Sequence, residues 1–152
     1  MQQFNSLIWR DCESLYASNP TSYISIQDDY QVNVNLLLLA QYLDQQAYPL
    51  ALAQWETLAA TIEDWDSKVV SPYRKLRRLA KSRLLPDEYQ KMLDIELMME
   101  RKTQQMLQKK LNKFELENNK VELISTTKNY NADSYLCLFG INTDFFTALQ
   151  SS

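Results

Sequence analysis

Apolar residues recur three and four positions apart along most of this chain, the spacing of one buried helical face. Phe4, Leu7, Ile8, Cys12, Leu15 and Tyr16 keep that period and predict a first helix from Gln2 to Ser18. Asn19-Pro20 ends it, because the residue before a proline is pushed out of helical geometry. A short second helix is expected over Thr21 to Asp29, carrying Tyr23, Ile24 and Ile26. Asn33 is the expected N-cap of a third helix through about Gln46, since its side chain can accept from the free amides of a first turn. Leu36 to Leu39 place apolar groups all round that helix, as a central, buried one requires.

Pro49 interrupts the pattern, and a fourth helix follows with Leu50, Ala53, Leu58, Ala59, Ile62 and Trp65. Asp66 or Ser67 can cap a fifth, bearing Val69, Val70, Tyr73, Leu76 and Leu79-Ala80, with Pro72 tolerated in its first turn. Pro86, Asp87 and Glu88 start a long sixth helix, expected to run to about Asn118. Its seam is Leu93, Leu97, Leu107, Leu111 and Phe114, with Glu100 and Gln104 in the middle, which favours an antiparallel pair within the domain over a free coiled coil. Val121 to Thr127 is expected to be irregular. The tail has an apolar patch, Tyr135 to Phe139, and a final turn around Phe145, Phe146 and Leu149. The sum is all-α: one helical domain over residues 1–152, a compact bundle of about six helices.

Composition changes the picture mainly by exclusion. One glycine, Gly140, argues against phosphate-cradling loops, which need backbone free of Cβ atoms. The absence of histidine removes Ser-His and Cys-His nucleophiles and the commonest metal ligand. Asp28-Asp29, Glu63-Asp64 with Asp66, and Asp94 with Glu96 are the available carboxylate pairs, but no histidine completes a Glu-x-x-His site. No metal and no cofactor is expected, and no catalytic residue stands out. Cys12 and Cys137, far apart and without a CxxC companion, read as two reduced, buried thiols. The start, MQQFNSLIWRD, lacks a basic segment followed by an apolar run, and Val34 to Ala40 is too short to span a bilayer. A cytoplasmic location without membrane insertion is expected.

The net charge of -3 hides an uneven distribution. Lys68, Arg74, Lys75, Arg77, Arg78, Lys81 and Arg83 form one run with no acidic residue before Pro86. At helical spacing Arg74, Arg77, Arg78 and Lys81 share one face, while Leu76, Leu79 and Ala80 are expected to turn toward the interior. Such a face can hold phosphates or an acidic partner. It can equally be solvated surface with internal ion pairs, the commoner fate of a charge run.

Three segments resemble an uncharacterised proteobacterial family of short helical proteins, a domain of unknown function. The first is Phe4 to Tyr16, where Trp9 and Tyr16-Ala17 stand for a Phe-Trp start and a later Tyr-Ala. The second, IQDDYQVNVNLLLLAQYL, resembles LQD, a glycine, then DVNLLL; Gln31 replaces the glycine and Asn33 the aspartate. The third, WDSKVVSPYRKLRRLAK, resembles W…VV.PLR..RR.LK through Trp65, Val69, Val70, Pro72, Arg74, Arg77, Arg78 and Lys81. The resemblance covers the first half of the chain and implies no known activity. Asparagine at position 33 keeps the capping ability and loses the charge, so a capping role survives there and an ionic one does not.

Gln27, Asp28, Asn33 and Asn35 make the densest polar cluster. They either bind a ligand or close a loop by satisfying helix-end donors, and the second is the commoner use. Trp9, Trp55 and Trp65 read as core anchors rather than stacking platforms. The expectation that follows is a non-enzymatic helical interaction or regulatory module presenting the basic helix to an acidic protein partner, or self-associating. RNA or ribonucleoprotein binding through the same helix is one alternative. The other is an enzyme or small-ligand binder with a helical pocket near Asp28 and Asn35, which requires a concave apolar cavity with convergent polar groups.

Overall fold

The Asn19-Pro20 junction shows how locally this chain sets its turns. Asn19 leaves helical geometry, its side-chain oxygen accepts from the Ser22 amide at 3.4 Å, and Pro20 opens the next helix where a missing N–H costs nothing. The computed structural model describes residues 4–116 and 128–151. Along them run α1 (Ile8–Ser18), α2 (Pro20–Tyr30), α3 (Val34–Gln45), α4 (Leu52–Trp65), α5 (Ser71–Ala80), α6 (Pro86–Leu116), α7 (Tyr130–Cys137) and α8 (Thr143–Ser151), with no strand among the described residues. The fold is all-α, with the long helix starting at Pro86 as expected. The six expected helices correspond to α1 to α6, and the tail adds two short ones. Val121 to Thr127 lies outside the described residues.

At the centre is α3. Leu36, Leu37, Leu39, Ala40 and Leu43 are all 1 % exposed or less, each buried leucine contributing about 1.5–3 kcal/mol. Asn33 caps this helix as expected, its Oδ1 accepting from the Leu36 amide at 3.2 Å. Both α1 and α7 pack against α3, α4 packs on α6 and α7, and α8 packs on α2. Trp9 and Trp55 are buried in the core, and the Trp65 indole donates to Thr103 Oγ1 of α6 at 3.1 Å.

A polar latch fastens α7 to this core. Asp44, near the end of α3, accepts from the amides of Asn131 and Ala132 at 2.7 and 3.0 Å. The buried Asn131 amide in turn donates to the Tyr48 carbonyl at 2.8 Å and accepts from Leu50 N at 2.8 Å and Trp55 Nε1 at 3.3 Å. Burial raises the Asp44 carboxyl above its ordinary value, against the pull of those amide donors.

The structure departs from expectation most at α5. No cap separates it from α4: a π-helical turn, Asp66–Val70, joins the two, with the Ser71 amide donating to the Asp66 carbonyl five residues back. A π turn accommodates about one residue more than an α turn, and one residue is roughly 100° of rotation. Everything downstream is therefore rotated. Leu76 and Leu79, expected inside, are 56 % and 73 % exposed, while Arg74 and Arg77 point inward. Two smaller corrections concern Leu97 of the expected seam, which is 54 % exposed, and Cys137, which is exposed rather than buried. Cys12 is buried, as expected.

Candidate functional site

The inward turn of α5 creates a cleft. Its walls are the second half of α2 and the start of α3 on one side, α5 and the first half of α6 on the other, and α1 adds Cys12, Glu13 and Tyr16. Arg74, Arg77, Arg78 and Lys81 do share a face, but it is divided: Arg74 and Arg77 look toward α6, while Arg78 and Lys81 stay exposed to solvent. Arg74 Nη2 donates to Glu100 Oε1 at 2.9 Å, with Glu96 4.0 Å from its Nε. Arg77 donates through Nε to Glu96 and through Nη1 to the Tyr89 hydroxyl. The side chains of these two arginines are only 14 % and 15 % exposed. Arg78 pairs with Asp28 at 3.1 Å in the open, and Lys81 lies 5.8 Å from the Tyr89 ring centroid.

The polar cluster expected around α2 and α3 is brought to the same place. Asn35 donates to Glu100 at 2.6 Å and accepts from Gln104 at 3.2 Å, so the carboxylate that holds Arg74 also holds the first turn of α3. Asn33 Nδ2 reaches Asp66 Oδ1 at 3.5 Å, tying the cap residue to the π turn. Gln27 and Asp28 line the cleft from α2. The two sets of residues, read separately in the sequence, are one constellation.

Between the walls lies a hollow of about 340 Å³. Its deep apolar surface includes Cys12 and Leu38, and Ile24 and Leu97 stand exposed at its lip. Arg74, Arg77, Glu96, Glu100 and Asn35 present polar atoms to it. Four titrating groups that line the cleft, Asp66, Cys12, Tyr16 and Arg77, have raised pKa values, and the first two bear on its chemistry. Burial raises the Asp66 carboxyl, Arg74 opposes that rise, and Glu100 and Glu63 add to it. Burial pushes the Cys12 thiol up to about 12, with Asp11 and Glu13 contributing, so this sulfur is no nucleophile at neutral pH.

Sequence reasoning missed Asp66, Lys75, Glu96, Glu100 and Gln104 as cleft residues, and Tyr89 as the partner of Arg77. One signal was present: Glu100 and Gln104 interrupt the apolar seam of α6, and a polar break in a buried seam marks a place where something polar faces it. No signal in the sequence showed the π turn.

Comparison with known proteins agrees with the resemblance. The sequence model of the family described as "Protein of unknown function (DUF2390)" matches residues 7–107, and the chain belongs to that family. No curated protein and no solved structure matches it. The matched segment runs past Pro86 well into α6 and takes in every cleft residue named above, whereas Asn131 and the two tail helices lie outside it. No helix among the described residues is long and apolar enough to cross a membrane.

Proposed function

We propose that this member of the family binds a small molecule in the hollow between α2–α3 and α5–α6. One observation carries this: Arg74 and Arg77 are turned inward onto Glu96 and Glu100 beside a hollow with an apolar floor. Charged pairs taken out of water contribute little net stability, and apolar residues of similar volume often serve a fold as well or better. A volume of about 340 Å³ falls in the range of ligand pockets, and a mainly apolar lining with a few fixed polar groups is their usual make-up. The π turn at the cleft's edge adds support, since such turns within helices recur at functional sites.

The test is a small-molecule screen followed by amide chemical-shift mapping on the full chain. A ligand is expected to perturb Ile24, Val34, Asn35, Leu38 and Leu97 together. Leu97→Trp should fill the hollow and abolish the response while the protein stays folded, because Leu97 is already half exposed. Shifts confined to other surfaces, or unchanged in the Trp variant, would reject the site.

A second reading keeps the partner-binding expectation but changes its chemistry. The outer face of α5 and the turn after it expose Leu76, Leu79 and Leu85, at 56, 73 and 63 %. Clustered exposed leucines favour a protein surface or a second copy of the chain. For the RNA alternative, Arg74 and Arg77 are already held by Glu100 and Glu96, which leaves Arg78 and Lys81 as the exposed members of the basic face.

A further inference from the structure

The larger hollow has a neighbour of different chemistry. A second hollow of about 250 Å³ shares Gln27, Asn33, Arg74 and Arg78 with it, and adds Asp66, Ser71 and Lys75. The two meet along the shared residues; Arg78 lines both, and its partner Asp28 lines the smaller one.

Charge divides them. The larger hollow sets Arg74, Arg77 and Arg78 against Glu13, Glu96 and Glu100, an even balance over an apolar floor. The smaller sets Arg74, Lys75 and Arg78 against Asp28 and Asp66, and its only aliphatic lining residue is Val32. Lys75 makes no ion pair among the described residues. Burial holds the Asp66 carboxyl above its ordinary value, which eases its protonation beside an anion. The smaller hollow therefore has a positive excess and the larger has none.

The arginines also differ in how readily they can change partner. Arg74 and Arg77 are nearly enclosed with their carboxylates, and removing a partner there would strand a charge away from water. Arg78 and Asp28 are 44 % and 40 % exposed, a pair that solvent screens to little net value. Arg78 is the exchangeable one, and its planar fork suits a carboxylate or phosphate.

Resting on the ligand-binding reading above, we propose that the ligand is a small amphiphile with an anionic head. Its apolar body occupies the larger hollow. Its head, a carboxylate or a phosphate monoester, enters the smaller one, displaces Asp28 from Arg78 and is met by Lys75.

Calorimetric titration of the full chain with octyl phosphate, octanoate, octan-1-ol and octylammonium, each below its micelle concentration, tests this. At least one of the two anions should bind about tenfold more tightly than octanol, as one charge-assisted contact implies, and octylammonium more weakly still. Which anion wins distinguishes phosphate from carboxylate. Arg78→Ala should remove the preference for the anion and leave octanol unchanged. Asp28→Asn, which frees Arg78, should tighten the anion severalfold. If octanol binds the hollow as well as the anions do, or Asp28→Asn weakens them as Arg78→Ala does, the anionic head is overturned while the cleft survives as a ligand site. If none of the four probes binds and the screen also leaves the cleft unperturbed, both readings fall.

Discussion

Two polar clusters in this protein are built from similar residues and are put to different use. The latch at Asp44 and Asn131 sends most of its hydrogen bonds to backbone groups of Tyr48, Leu50, Asn131 and Ala132. The cleft joins side chain to side chain: Arg74 to Glu100, Arg77 to Glu96, Arg78 to Asp28, Asn35 to Glu100. Backbone groups must be satisfied wherever they are buried, so the latch is accounted for by folding alone. A buried side-chain network has no such obligation, since apolar residues could have replaced it. The latch fixes where the chain goes, and the cleft fixes what faces a cavity.

The harshest way to break this comparison is to remove the rotation that made the cleft. Inserting one alanine after Ser67 adds a residue that the π turn, already holding one extra, does not absorb, and should advance α5 by roughly 100°, turning Leu76 inward and Arg77 outward as the plain helical period expects. Glu96 and Glu100 would then be left without their arginines, at a cost of roughly 3–5 kcal/mol if both stayed enclosed. A denaturant midpoint measures the loss. Unchanged stability together with unchanged ligand binding would mean the π turn does not set the phase of α5.

On the latch side, Asn131→Ala should cost roughly 3 kcal/mol, because Leu50 N, Trp55 Nε1 and the Tyr48 carbonyl all lose their partner. Thermal unfolding gives the value, and ligand affinity of the folded protein should not change. A loss of affinity as large as the loss of stability would show that the two clusters are one unit.

The paired aspartates sharpen the contrast with smaller effects. Asp44 and Asp66 both have acidities shifted upward from 3.8 by burial, so the folded state binds the proton more readily than the unfolded one. The stability linked to each is complete below 3.8 and falls as pH rises through the raised folded value. Substitution should separate them. Asp66→Asn removes a carboxylate that mainly faces a hollow, and should stabilise the protein at neutral pH, with the gain vanishing as pH falls below 3.8. Asp44→Asn leaves one oxygen for two amide donors and should destabilise by about 1–2 kcal/mol at neutral pH. Unfolding followed from pH 3 to pH 8 reads both. A loss from Asp66→Asn at neutral pH would place Asp66 with the latch residues.

The fold was far more legible in sequence than the site. Caps and proline signals set the junctions at Asn19, Asn33 and Pro86, because those are local conflicts between a side chain and helical geometry. Leucines 36 to 39 announced a buried helix because nothing else tolerates four in a row there. The cleft was visible only in pieces, as a basic run and a polar cluster. Periodicity assumes 3.6 residues per turn throughout, and the π turn breaks that assumption without any glycine or proline to mark it. With the phase slipped by one residue, Leu76 and Leu79 were placed in the interior and instead face solvent. The acidic partners on α6 were hidden for another reason: pairing across 19 residues, as with Arg77 and Glu96, or 26, as with Arg74 and Glu100, leaves no local trace.

The gentlest test uses two left-handed residues, one per cluster. Gln31 closes α2 at φ 62°, and Ala47 follows α3 at φ 53°, conformations that a Cβ disfavours by about 1 kcal/mol. The family resemblance expects glycine at position 31, where this chain has glutamine. Gln31→Gly and Ala47→Gly should each relieve that strain, less what glycine gains in the unfolded chain, for a net change of about 0.5 kcal/mol in favour of the fold. Their effects on binding should part. Gln31 lines the smaller hollow, so its loss should alter the affinity for an anionic head, whereas Ala47 sits beside the latch and should leave it alone. Equal shifts in affinity from the two substitutions would mean that strain, rather than the side chain at the cleft, controls the site.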